Sequence, residues 1–154
     1  AAMGAEVTVI SHSPGKQDDA HRLGAHHFLL SSDRTAMREA KNSFDVIANA
    51  VSADIDLNPY FNLLALDGVM ALVGLPEQPL QVRAFSLTGG RRALAGSQIG
   101  GIAETQEMLD FCGRHDLVSD IETIAVQQVN EAWDRVVASD VKYRFVIDTA
   151  SLVG

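Results

Sequence analysis

The feature that most constrains this chain is a set of short apolar runs that do not alternate. VMALV at 69–73 and RFVI at 144–147 put apolar side chains on consecutive positions, so both faces of such strands need cover, as in a parallel sheet overlaid by helices. A sheet with one wet face would alternate instead. Strands are expected at 6–11, 26–30, 44–48, 68–73, 92–96 and 143–148, interleaved with helical stretches, the pattern of an α/β domain. Residues 14–23 open on Pro14 and close at Gly24, and 55–66 close before Gly68, as helices do. Ile102, Met108, Leu109 and Cys112 share one side of a helix over 102–112. Val129, Ala132, Trp133, Val136 and Val137 follow the i, i+3, i+4, i+7, i+8 spacing of another. Both helices are expected to pack on the sheet, and 76–85 is expected to be an irregular connector.

Length and charge exclude several functions. A chain of 154 residues, 47% hydrophobic, can bury a core as one domain, and no repeat or linker divides it. The net charge of −8 opposes a nucleic-acid footprint. The longest apolar run, VMALVGL at 69–75, falls well short of the roughly 20 residues that span a bilayer. A single cysteine, Cys112, permits no internal disulfide and no multi-cysteine zinc site, and it suits a reducing compartment, with cytoplasm the default. The start, AAMGAEVTV, reads like the end of a helix capped by Gly4 and followed at once by a strand, as though the chain began inside an element.

Within the first strand region, EVTVISHSPGK at 6–16 ends in two hydroxyls, a proline, a glycine and a lysine. In a doubly wound sheet, ligands lie beyond the carboxyl ends of strands, and a carboxylate at the end of the second strand accepts hydrogen bonds from a free ribose 2′-hydroxyl. Here Ser11, His12 and Ser13 stand at that point with Lys16 in the next turn, and the nearest acids are Asp18 and Asp19. Hydroxyl donors and an ammonium suit a 2′-phosphate, which a carboxylate would repel. Ser13 before Pro14 is also an ordinary N-cap, and Lys16 an ordinary surface charge. The two roles are compatible, because an N-cap position already directs donors at an anion.

AAMGAEVTVISHSPGK, LGAHHFLLSSD, LVGLPEQPL, GSQIGGIAETQEMLDFC and VKYRFVID together resemble, in order and spacing, the nucleotide-binding domain of zinc-dependent medium-chain alcohol dehydrogenases. The similarity is to their NADP-dependent, cinnamyl-alcohol-dehydrogenase-like branch and covers essentially the whole chain. It implies a Rossmann-type doubly wound parallel sheet over 1–154 that lacks its first strand and glycine-rich turn, a fragment whose zinc-bearing catalytic domain lies outside this chain. It also implies an NADP-dependent oxidoreductase acting on an alcohol or aldehyde, with zinc as Lewis acid in the parent enzyme and this chain alone inactive.

By the same resemblance, Ser11, His12, Ser13 and Lys16 hold the 2′-phosphate of NADP. Val73 and Gly74 lie beside the nicotinamide and its ribose, Ser97 and Ile99 contact the nicotinamide end, and Arg144 meets the pyrophosphate. Read alone, Val73 and Ile99 are equally plain core residues and Gly74 a plain turn residue. Where the family often carries Asp-Thr-Val-Ser, this chain has NAVS at 49–52, so Asn49 and Ala50 replace an acid and a hydroxyl and Val51 is left as an apolar or backbone wall. G-x-G-x-x-G is absent, and GSQIGG at 96–101 has another spacing.

Relatives that pair edge strands imply a homodimer through residues 86–97. Adjacent His26 and His27 point to opposite faces of a strand and cannot chelate together, and Cys112 belongs to a helical apolar face. Two other readings remain open at this point: a zinc-free, quinone-reductase-like oxidoreductase of the same superfamily, and a stand-alone nucleotide-binding module without chemistry.

Overall fold

The computed structural model describes residues 1–138 and 140–152. The chain divides into two units, Ala1–Ile99 and Gly100–Gly154. The first holds strands β1 (Thr8–Ser11), β2 (His27–Leu30), β3 (Phe44–Asn49), β4 (Leu64–Leu72) and β5 (Ala93–Gly96). Its helices are α1 (Gln17–Arg22), α2 (Arg34–Glu39), α3 (Asn58–Phe61) and α4 (Ala84–Thr88). The second holds α5 (Ile102–Arg114), β6 (Ile121–Ala125), α6 (Val129–Val137) and β7 (Arg144–Asp148). Among the described residues every ladder is parallel, in three sheets of order β1-β2, β3-β4-β5 and β6-β7. This is the α/β architecture expected from the non-alternating runs.

The core of the first unit lies under the β3-β4-β5 sheet, where Leu57, Phe61, Leu64 and Met70 are buried together and Phe44, Ile47, Leu72 and Leu94 pack against them. Burying each large side chain of this kind contributes about 1.5 to 3 kcal/mol. The expected helix over 55–66 is here corrected to a single turn, α3, followed by a nine-residue strand, β4. Leu57, Phe61 and Leu64 have helical spacing, but the carbonyls of 62 and 63 are claimed by residues 42–44. Asn42 N–H donates to the Asn62 carbonyl, and Ser43 and Phe44 N–H both donate to that of Leu63. Strand pairing thus satisfies groups that a longer helix would have paired internally.

Three elements went unread. α2 is capped by Asp33, whose carboxylate accepts from Thr35 and Ala36 N–H. α4 begins inside the expected connector, and β6 pairs with β7 from Ile121↔Arg144 to Ala125↔Asp148.

Both helices of the second unit form where their spacing placed them, yet their packing differs from expectation. Ala132 of α6 is the unit's one buried residue among those described, and Arg135 of α6 lies over the Phe145 ring at 4.8 Å. Ile102 of α5 is 93% exposed, and Met108 and Leu109 are about half exposed. Of the apolar face expected on α6, Ala132 is buried, while Trp133 and Val137 are 69% and 72% exposed and Val129 and Val136 about half exposed, so two strands spaced about 4.8 Å apart cover little of either helix.

Candidate functional site

At the carboxyl end of β1, the Ser13 N–H donates to Ser11 Oγ at 3.1 Å. Ser11 therefore uses a lone pair within the turn and keeps its O–H for another acceptor. Ser13 stands at the N-cap of a 3₁₀ turn, Pro14–Lys16, with its side chain making no capping bond. α1 follows directly. Lys16 and His12 are exposed and form no ion pair among the described residues. Of the nearest acids, Asp19 is held by Arg22 at 3.2 Å. The three donor residues thus sit together on one strand-to-helix turn.

A second group gathers where β3, β4 and β5 end. The carbonyl of Asn49, last residue of β3, accepts from Val73 N–H at 2.9 Å and Gly74 N–H at 3.0 Å. Asn49 Oδ1 accepts from Val51 N–H at 3.1 Å, and Ser52 Oγ accepts from Leu75 N–H at 3.3 Å. On the other side, Ser97 N–H donates to the Leu72 carbonyl at 3.0 Å. Val51 and Val73 remain about half exposed, apolar side chains at a strand-end rim, where α/β proteins bind ligands.

Gly74 has a structural reason to be glycine. A Cβ there would lie 2.4 Å from the Val51 carbonyl oxygen and 2.8 Å from the Ala50 carbonyl carbon, so the loops after β3 and β4 touch backbone to backbone. Sequence reading singled out Val51, Val73, Gly74 and Ser97 but passed over the bonds made by Asn49 and Ser52. The available signal was an Asn at a strand end, a residue that readily bonds the amide two positions on.

Ile99 lies just beyond β5 and is 92% exposed. Arg144 belongs to the second unit, where it opens β7 at that strand's amino end and is exposed. Among the described residues no group of three His, Cys, Asp or Glu could hold a metal ion. Cys112 Sγ faces Met108 Sδ at 3.6 Å on α5, and no helix among the described residues is long and apolar enough to cross a membrane.

Residues 1–114 match the family model described as zinc-binding dehydrogenase. The chain belongs to this family of zinc-binding dehydrogenases. Among its relatives, the NADP-dependent alcohol dehydrogenase C 1 of Mycolicibacterium smegmatis is 56% identical over 98% of this chain and 43% of its own length. A solved cinnamyl alcohol dehydrogenase from Sorghum bicolor superposes with a TM-score of 0.92 at 44% identity, over 97% of this chain and 42% of that one. The cinnamyl alcohol dehydrogenase of Helicobacter pylori complexed with NADP(H) superposes at 0.83 with 36% identity, over 97% and 42%. The present zinc-binding dehydrogenase chain thus spans less than half the length of these relatives, and its α/β fold is theirs.

Proposed function

We propose that this chain binds NADP as the nucleotide-binding part of an alcohol dehydrogenase that moves a hydride between NADP(H) and an alcohol or aldehyde. The observation that carries this reading is the donor set after β1: the spare O–H of Ser11, the uncommitted hydroxyl of Ser13 and the exposed ammonium of Lys16. That chemistry fits a 2′-phosphate, because each group donates and one carries positive charge. His12, between the serines, is assigned to the same rim.

Val51 and Val73 would flank the remainder of the cofactor, with the Gly74 backbone, Ser97 and Ile99 toward its nicotinamide end. These residues bind, orient and shed water; none moves a proton. We assign Arg144 to the pyrophosphate on the family likeness. The described residues supply no ligand set for zinc, so no step here runs through the metal. In this reading zinc is a Lewis acid on the substrate oxygen, held by residues other than these.

A homodimer formed through residues 86–97 is supported by β5, which among the described residues pairs only with β4 and so ends its sheet. A cytoplasmic setting is supported by the free thiol of Cys112.

The test is a pair of fluorescence titrations with NADPH and NADH at one ionic strength. Tighter binding of NADPH is expected. Equal affinity for the two would overturn the assignment of Ser11, Ser13 and Lys16.

A further inference from the structure

Asn49 is the last residue of β3, and it joins two loops in different ways at once. Its backbone carbonyl takes both Val73 and Gly74 N–H groups, while its side-chain oxygen takes the Val51 N–H. The contact this enforces is close: Gly74 leaves no room for a Cβ against the carbonyls of Ala50 and Val51. Val51 and Val73, two half-exposed apolar side chains at this rim, are therefore both bonded to one partly buried residue, and Leu75 N–H adds a second tie between the loops through Ser52 Oγ.

The backbone half of this arrangement would survive most substitutions at 49, since every residue has a carbonyl. The side-chain half would not. An acceptor that reaches the amide two residues on is available from Asn, Asp and Ser, and is absent from Ala. Without it the Val51 N–H loses its partner, and the turn 50–52 is left to the Leu75–Ser52 bond for its hold on the loop that carries Val73.

We propose that Asn49 is a positioning residue for NADP: its side chain holds Val51 in register with Val73 so that the two form one apolar wall for the cofactor. The inference rests on the NADP reading above. It reaches beyond that reading, because Asn49 would touch no part of the ligand.

The experiment compares wild type with the Asn49→Ala, Asn49→Asp and Asn49→Ser variants, reading NADPH affinity by fluorescence and the protection of the Val51 amide by hydrogen exchange. Loss of one neutral hydrogen bond is expected to weaken NADPH binding by about three- to tenfold in the alanine variant, with faster exchange at Val51. Aspartate and serine should restore both.

If alanine speeds exchange at Val51 yet leaves NADPH affinity unchanged, the bond is structural only and the positioning role is overturned. The same holds if aspartate and serine bind as weakly as alanine while protecting Val51. Should the wild type fail to bind NADPH at all, the NADP reading itself falls and the positioning role with it. Binding by wild type and alanine variant alike removes only the latter.

Discussion

Lys16 is the single charge on which cofactor choice can be tested. A charge-assisted hydrogen bond contributes about 1.5 to 3 kcal/mol, so Lys16→Ala should weaken NADP binding by roughly ten- to a hundredfold. NAD, lacking the 2′-phosphate, should be unaffected, and equal losses measured by calorimetry would sink the assignment. Gly74 gives a second residue-scale test of a different kind. A methyl group placed 2.4 Å from the Val51 carbonyl oxygen forces the two loops apart, and overpacking of this sort costs about 1 to 3 kcal/mol. Gly74→Ala should therefore lower the midpoint of urea unfolding as well as NADPH affinity. A variant as stable as wild type would mean that the loops separate freely. At this scale the residue types at 11, 13 and 16 were legible in the sequence because donor chemistry follows from composition. The role of Gly74 against Val51 was not, since it depends on two segments meeting in space.

Among elements, the β6-β7 pair and α6 are tied by Glu122. Its carboxylate accepts from Lys142 N–H at 3.1 Å and from Arg135 at 2.9 Å, and Arg135 also reaches Asp140 at 3.1 Å. The Lys142 backbone bond first, and Arg135 second, hold the Glu122 carboxyl below its ordinary range. A carboxyl depressed in the folded state contributes stability above the unfolded value of about 4.3, and the contribution fades as pH falls through the folded value. Thermal melts followed by Trp133, on α6 itself, should show wild type losing stability faster than Glu122→Gln as pH is lowered from about 5 to 3. Parallel curves would show that Glu122 contributes nothing there. α6 was legible because five apolar residues keep one period over nine positions. β6 was missed because IETIA is short and half polar, and the 55–66 stretch misled because Leu57, Phe61 and Leu64 reach a common core through a chain reversal that mimics helical spacing. In the first unit the local pattern identifies which residues are buried more readily than the path the backbone takes between them, whereas on α5 and α6 it marks residues that stay largely exposed.

For the whole molecule, the proposed dimer turns on β5. It lies at one end of the β3-β4-β5 sheet, with Ala93 and Ala95 exposed, and a lysine on such an edge opposes pairing with a second copy. Ala95→Lys should shift the mass seen by light scattering from dimer to monomer while leaving NADPH binding intact. A monomeric wild type would remove β5 as an interface. The parallel α/β class was legible from VMALV and RFVI alone, whereas the division into sheets of two, three and two strands was not, because neighbour choice among buried parallel strands leaves little trace in their apolar composition. The joint at Asn49, finally, bears on how this rim can change over time. Its shape is written in amide and carbonyl positions, and in the number of residues between the end of β3 and Ser52. Exchanges of one apolar side chain for another at 51 or 73 leave that count intact and re-line the wall without moving it. A residue gained or lost between 49 and 52 would carry Val51 away from Gly74 altogether, so this rim tolerates a change of composition and not a change of length.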